Sequence, residues 1–283
     1  MKNLNRLRRC RLVARCYQAA TPKVNMTTFH TDKLPTIYIG YDPKEDANYQ
    51  VLRHSILKNT SSLYNIVPLS MPDLRRSGLY RRAGKELDGK VVDTFDNKPF
   101  STEFSFTRFL VPFLNQYSGM ALFMDCDMML RADITQLFAE YGSRTDYAVQ
   151  VVKHNYQPKS QEKMDKQVQT VYRRKNWSSF VMWNCSHPSH YKLTVDDVNT
   201  KNGSWLHGFE WLNDNEIGEI SERWNWLDGH STANDPYNVH FTTGGPAFSG
   251  WKPNRFIDQE YALEWKDIRN KLTINESLGE LNA

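Results

Sequence analysis

The apolar positions of this chain switch repeatedly between two spacings, and the switches mark out alternating strands and helices. Residues 35–42 are β-branched and aromatic and stop at Tyr41-Asp42-Pro43, which predicts a first strand ending in a loop. Over 45–59, Tyr49, Leu52, Ile56 and Leu57 recur near the helical period. Residues 66–69 predict a second short strand. From 104 to 114, the apolar positions 106, 109, 110, 113 and 114 form a helical stripe, kinked or started near Pro112, with Arg108 off the stripe. The next segment, 120–130, runs Met-Ala-Leu-Phe-Met-Asp-Cys-Asp-Met-Met-Leu. A continuous apolar run of this length suits a strand buried on both faces. A short helix is predicted over 131–138 and strands over 147–152 and 177–184. Thr194 caps a helix over 194–199, and Gly244-Gly245 breaks a strand begun near Tyr237.

The remaining stretches lack this patterning. Residues 71–100 are polar and predict a surface excursion, with Arg75, Arg76, Arg81 and Arg82 on a solvated face or in contact with an anionic substrate. Residues 159–175 predict an exposed charged helix or loop, and the chain from 264 an exposed helix fading into disorder. Strands alternating with helices predict an α/β fold, a mixed sheet flanked by helices. In such sheets ligands collect beyond the carboxyl ends of strands, where Tyr41 and Asp42 sit.

Composition narrows the setting. The 283 residues are 40% hydrophobic and 24% charged, enough for a sizeable core. We divide them into a lead (1–33), one domain (34–262) and a C-terminal helix or tail (263–283). The lead carries Lys2, Arg6, Arg8, Arg9, Arg11, Arg15 and Lys23 and no acid up to residue 31. That composition fits a disordered tail, an organelle transit peptide, or sequence upstream of a start at Met26. With the lead set aside, the formal charge of +4 leaves a nearly neutral domain, which argues against a nucleic-acid partner. No apolar run has the length of a membrane span. The four cysteines show no zinc-finger spacing, consistent with a reduced interior. A soluble intracellular protein is the simple expectation.

Asp125 and Asp127 carry the chemistry of the apolar run. Side chains two apart on a strand point to one side, so both carboxylates project together from the edge of the core. Their repulsion and lost hydration are relieved by a divalent cation; Mn²⁺ or Mg²⁺ suits hard oxygen ligands shared with a diphosphate. The alternative is a pair of solvated carboxylates at a strand end. Arg108 is a candidate for a diphosphate or for an ion pair with a nearby carboxylate. Glu210, Trp211 and Asp214 combine an aromatic face with acids, a combination that grips sugars. His240 is a candidate ligand or a structural histidine. Gly244 and Gly245 would let backbone N–H groups approach an anion. His187 and His190 read as a turn.

In order, these pieces are a loop after the first strand, Phe106-Thr-Arg-Phe-Leu-Val-Pro112, the Asp125-Cys-Asp127 strand, a strand ending in Asn184, and His240-Phe-Thr-Thr-Gly-Gly. This set resembles the glycogenin-like and galactosyltransferase-like retaining glycosyltransferases of the GT-A fold, over residues 35–255. The resemblance implies a single GT-A domain that moves a sugar from a nucleotide-diphosphate donor, first of all a UDP-sugar, to a carbohydrate or other hydroxyl acceptor with retention. It implies a metal on Asp125, Asp127 and His240. Tyr41, Asp42, Arg108, Asn184, Trp211, Gly244 and Gly245 would line the donor site, with Glu210 and Asp214 as catalytic candidates. The chain departs from the family at Thr243, where a glycine is usual, and lacks the lysine that normally follows; Lys252 is a shifted substitute. Two rivals remain: a haloacid-dehalogenase-type phosphohydrolase using Asp125 as nucleophile, with Asp196-Asp197 as its acidic pair, and a carbohydrate-binding protein without catalysis.

Overall fold

A computed structural model describes residues 34–87, 90–95, 97–155 and 174–281. The basic lead and most of the charged 159–175 segment lie outside the described residues. The centre is a six-stranded mixed sheet ordered β2-β1-β5-β8-β7-β9. Its strands are β1 (Thr36–Tyr41), β2 (Asn65–Ser70), β5 (Met120–Met124), β7 (Val149–Val151), β8 (Phe180–Asn184) and β9 (Ile217–Glu219). β1 runs parallel to β2 and β5, whereas β8 is antiparallel to both β5 and β7. Ala121, Leu122, Phe123 and Met124 are fully buried, as an apolar run in a sheet covered on both faces requires. Truncating Leu122 to Ala would cost about 2–5 kcal/mol.

The apolar run does not continue as one strand. It leaves the central sheet at Asp125, bends through Cys126 and Asp127, and re-enters as β6 (Met128–Leu130) of a second sheet. That sheet is ordered β10-β11-β6, with β10 (Trp226–Leu227) and β11 (Asn238–His240). β11 pairs antiparallel with β6, setting His240 opposite Met128. Helix α1 (Asp46–Lys58) packs Val51 against the second core with Met129, Trp226 and Trp265.

Three expectations need correction here. Arg82 is not on a solvated face: it is fully buried, pairs with Asp93 and stacks over Phe106. The 71–100 excursion folds around that pair as the hairpin β3 (Gly84–Leu87) and β4 (Lys90–Asp93). Arg108 is also buried, because residues 107–110 form a 3-10 turn whose period differs from an α-helix. The C-terminal helix starts earlier than 264, at Phe256, and buries Tyr261, Ala262 and Trp265. No helix among the described residues is long and apolar enough to cross a membrane.

Candidate functional site

The bend between the two sheets places the acidic pair. The Asp125 backbone N–H donates to Ser179 (2.9 Å), extending the β5–β8 pairing by one residue. The Asp127 carbonyl accepts from Phe241 N–H (2.9 Å), tying the other side of the bend to β11. Cys126 points into the core and is fully buried, and its thiol pKa is pushed well up by burial and the surrounding carboxylates. Ligand atoms of Asp125, Asp127 and His240 lie within 4.8 Å of one another. The three meet by a bend and a crossing of sheets rather than by the pleat of a single strand.

Charges around this point are unevenly matched. Arg108 Nη1 sits 2.7 Å from Asp125 Oδ1 and donates to the Ser178 carbonyl at 2.9 Å. His240 Nε2 is 3.2 Å from Asp127 Oδ1. Burial would lower the His240 pKa, but Asp127, Asp125 and Asp228 outweigh it and the pKa is raised. A proton on that ring thus stands where a cation would. Glu45, at the end of a turn after β1, is pushed up to about 7 by burial and the Asp127 charge. Asp228 is raised to about 6 by burial, even though it accepts from the Thr243 N–H and hydroxyl. An excess of carboxylates over cations, with two carboxylate oxygens and an imidazole nitrogen converging, is a donor set that fits Mn²⁺ or Mg²⁺.

The cluster opens into a cavity of about 210 Å³, whose walls include Glu45, Arg108, Asn176, Thr243, Gly244 and Phe248. Asn176 adopts a left-handed backbone (φ 65°), and its Nδ2 has no hydrogen-bond partner. An Asn tolerates this conformation, and an open amide donor at a cavity wall suits an anionic or hydroxylated ligand. A second cavity of about 640 Å³ adjoins the first and shares Glu45, Ser101, Thr102 and Phe248 with it. Its walls include Asp42, Lys44, Arg75 and Tyr80.

Of the other residues singled out in the sequence, some lie here and some do not. Asp42 borders the second cavity, with one oxygen accepting from Lys44 N–H and the other from Glu103 N–H. Tyr41 lines neither cavity; its hydroxyl donates to Asp46. Gly244 lines the first cavity, but its N–H is used by the Phe241 carbonyl (3.0 Å) and is not offered to an anion. Gly245 is required by packing: at φ 75° a Cβ there would lie 2.7 Å from the Phe241 Cβ.

Asn184 is at the wrong end of its strand. β8 runs antiparallel to β5, so its start, at Ser179 and Phe180, faces the acidic pair, while Asn184 pairs with Met120 at the opposite edge. Its Nδ2 donates to the Thr145 carbonyl instead. Trp211 is buried and stacks parallel to Trp183 (5°), so a ring face offered to a sugar is taken by the core. Glu210 is exposed and lines neither cavity; Asp214 is exposed and pairs with Arg174. Lys252 is exposed and also lines neither. The Asp196-Asp197 pair of the phosphohydrolase alternative is engaged elsewhere, Asp197 closing a capping box with Thr194 and Asp196 pairing with Arg81. His187 caps a 3-10 turn (Pro188–Lys192) and His190 lies within it, as their spacing suggested.

Sequence reasoning missed Glu45, Asn176, Asn225 and Asp228. Their only local signal is a polar residue next to a turn, and that is common.

Comparison with known proteins follows the same lines. No family model matches the chain. Among solved structures, the galactosyltransferase LgtC in complex with donor and acceptor sugar analogs superimposes with a TM-score of 0.51 at 12% identity, covering 83% of this chain and 95% of LgtC. At that identity the likeness is one of fold: a mixed α/β sheet flanked by helices, as in GT-A glycosyltransferases. The bifunctional glycosyltransferase WbbM (TM-score 0.47, 14% identity) is matched over 76% of this chain, which spans only 47% of WbbM. In sequence, the chain is 46% identical to Protein CDI of Arabidopsis thaliana over 228 residues, 78% of this chain and 83% of that protein. The chain belongs to the family of Protein CDI.

Proposed function

We propose that this protein is a metal-dependent glycosyltransferase that moves a sugar from a nucleotide-diphosphate donor to a hydroxyl acceptor. One observation carries the reading. Asp125, Asp127 and His240, drawn from two sheets, bring their ligand atoms within 4.8 Å at the mouth of a cavity that also holds buried Arg108. A fold shared with a galactosyltransferase agrees with it, though fold alone does not fix function. A binding protein would have no need of like charges held close together and partly buried at this point, which are costly to maintain.

Asp125, Asp127 and His240 would hold Mn²⁺ or Mg²⁺, which supplies positive charge for the diphosphate leaving group. The chain's own groups do the rest. Arg108 is held by the Ser178 carbonyl and orients Asp125, while its guanidinium adds fixed positive charge beside the leaving oxygens. The Asn176 amide donor reaches the same cavity. The adjoining cavity of about 640 Å³, with Asp42, Arg75 and Tyr80 on its wall, has room for the nucleoside. Phe248 borders both cavities. A UDP-sugar is the donor to test first, and retention of anomeric configuration follows the family resemblance.

Release of UDP from UDP-sugars, measured with and without Mn²⁺, tests the reading; proton NMR of the product then assigns the anomer. The expected result is metal-dependent release by the native chain and none by Asp125→Ala plus Asp127→Ala. Turnover equal in the two proteins would remove the metal site from the mechanism.

A further inference from the structure

His240 has two ring nitrogens, and only one of them faces Asp127. A neutral imidazole ligates a cation through the nitrogen that lacks hydrogen, so its role depends on which nitrogen carries the proton. A chain of buried hydrogen bonds settles that choice. It starts at the Asn176 carbonyl, which can only accept. The Ser179 hydroxyl donates to it at 2.7 Å. With its hydrogen committed, Ser179 Oγ accepts from Asn225 Nδ2 at 3.0 Å. Asn225 must then turn Oδ1 toward His240 Nδ1, 2.9 Å away. An amide oxygen can only accept, so Nδ1 carries the hydrogen. In the neutral ring Nε2 is then left with its lone pair directed at the Asp127 carboxylate, 3.2 Å distant. Two electron-rich atoms at that distance repel unless a proton or a metal cation lies between them.

Reversing the Asn225 amide would reverse the outcome. Nδ2 would face His240, Nδ1 would have to accept, and the hydrogen would move to Nε2. His240 would then donate a plain hydrogen bond to Asp127 and could not ligate. Asn225 and Ser179 are 0% and 4% exposed and His240 3%, so water does not compete along this path. Asn225 is pinned from its backbone as well, its N–H donating to the Glu222 carbonyl at 3.1 Å.

Building on the metal reading above, we propose that Asn225 is a positioning residue. Through the relay anchored on the Asn176 carbonyl, it fixes His240 as the Nδ1–H tautomer and commits Nε2 to the cation.

The test is titration of the full chain with Mn²⁺ alone, followed by electron paramagnetic resonance. Affinity and the nitrogen hyperfine coupling of a Mn²⁺-bound imidazole are both read, with His240→Gln to assign that coupling. Asn225→Leu keeps the volume and loses the acceptor; affinity should fall about 10–100-fold and the coupling should vanish. Asn225→Asp keeps an acceptor and should retain the coupling, with affinity near the native value. Ser179→Ala frees the amide and should fall between them; it carries the test if Asn225→Leu does not fold. Native affinity and coupling in Asn225→Leu or Ser179→Ala would overturn the proposal, as would equal losses in Asn225→Leu and Asn225→Asp. A native chain that binds no Mn²⁺ overturns this proposal and the metal reading together. Native binding that Asp125→Asn plus Asp127→Asn abolishes, but Asn225→Leu leaves intact, overturns this proposal alone.

Discussion

At the edge of the central sheet where β8 ends, His190 is buried against Trp183 and its Nε2 lies 2.9 Å from the Ala148 carbonyl, which sets it as the donor. Burial lowers its pKa to about 4. Asn184 beside it donates to the Thr145 carbonyl. At the other edge, where β8 begins, His240 is just as buried, yet faces Asp127 and Asn225. Its pKa is raised against the pull of burial. The two edges use the same residue types. They differ in what the polar atoms meet: backbone carbonyls fixed by the fold at one edge, and carboxylates of like charge at the other. The first arrangement gathers no pair of carboxylates, although His190 Nδ1 and Trp183 Nε1 are buried without hydrogen-bond partners. The second is relieved by a cation, and on that difference the functional reading stands.

The largest expected effect tests the acidic edge directly. A cation that binds the folded chain raises its stability by about 2.7 kcal/mol at a hundredfold excess over Kd. Mn²⁺ should therefore raise the thermal midpoint of the native chain and leave that of Asp125→Asn plus Asp127→Asn unmoved. Donor turnover should drop on the order of 10²–10³-fold or more in the variant, the scale set by removing a single charge-stabilising group. If both proteins respond alike to Mn²⁺, the two edges of the sheet no longer differ in kind.

Glu45 gives the next largest effect. Its folded pKa of about 7 lies above the ordinary value of 4.5. Between those two pH values the folded chain holds a proton that the unfolded chain has released. Metal-free stability therefore falls as pH rises through that window and levels off above about 7. Glu45→Gln does not titrate. It should match the native chain below pH about 4.5 and exceed it above pH about 7 by on the order of 3 kcal/mol. Urea unfolding across pH reads this out; a constant difference between the two proteins would show that neither burial nor the Asp127 charge shifts Glu45.

His190 titrates with the opposite sign. Its folded pKa of about 4 lies below the ordinary 6.5. Stability should fall as pH drops below about 6.5 and level off below about 4, because the unfolded chain takes up the proton first. His190→Leu removes one of the two donors to the Ala148 carbonyl, leaving the Asn184 N–H at 3.0 Å, and should cost about 1 kcal/mol at pH about 8. The gap from the native chain should narrow as pH falls. Turnover per folded molecule should stay unchanged, since His190 belongs to the edge away from the acidic pair; reduced turnover would show that the two edges are coupled.

Local pattern carried the first strand, the apolar run and the mixed α/β class, because strand and helix periods are written in neighbouring residues. It also singled out Asp125, Asp127 and His240, whose types are unusual beside apolar strands. What it could not carry was strand direction. Asn184 looked like a site residue because it ends a strand, and only the antiparallel pairing with β5 sends that end away. Trp211 looked like a sugar platform because an exposed and a buried tryptophan read alike in sequence. Glu45 and Asn225 reach the site from segments 180 residues apart in number, brought together by the crossing of sheets near Asp127. Arg82 shows the same limit in the core: an arginine beside another arginine reads as surface until Asp93 is seen to meet it.

Asn184 provides the smallest effect and the sharpest check on strand direction. Its amide donates one hydrogen bond to the Thr145 carbonyl at 2.9 Å, at the edge away from the acidic pair. Asn184→Ala removes that bond and leaves a carbonyl short of a donor, which should cost about 1 kcal/mol of stability. KM for the donor and kcat should both stay at the native values. A donor contact would instead show as a raised KM with stability little changed. Measuring the two together separates these outcomes even though the stability change is small, because they move different quantities. A raised KM would mean that β8 presents its end, and not its start, to the ligand, and the assignment of Ser179 and Asn225 to the site would fall with it.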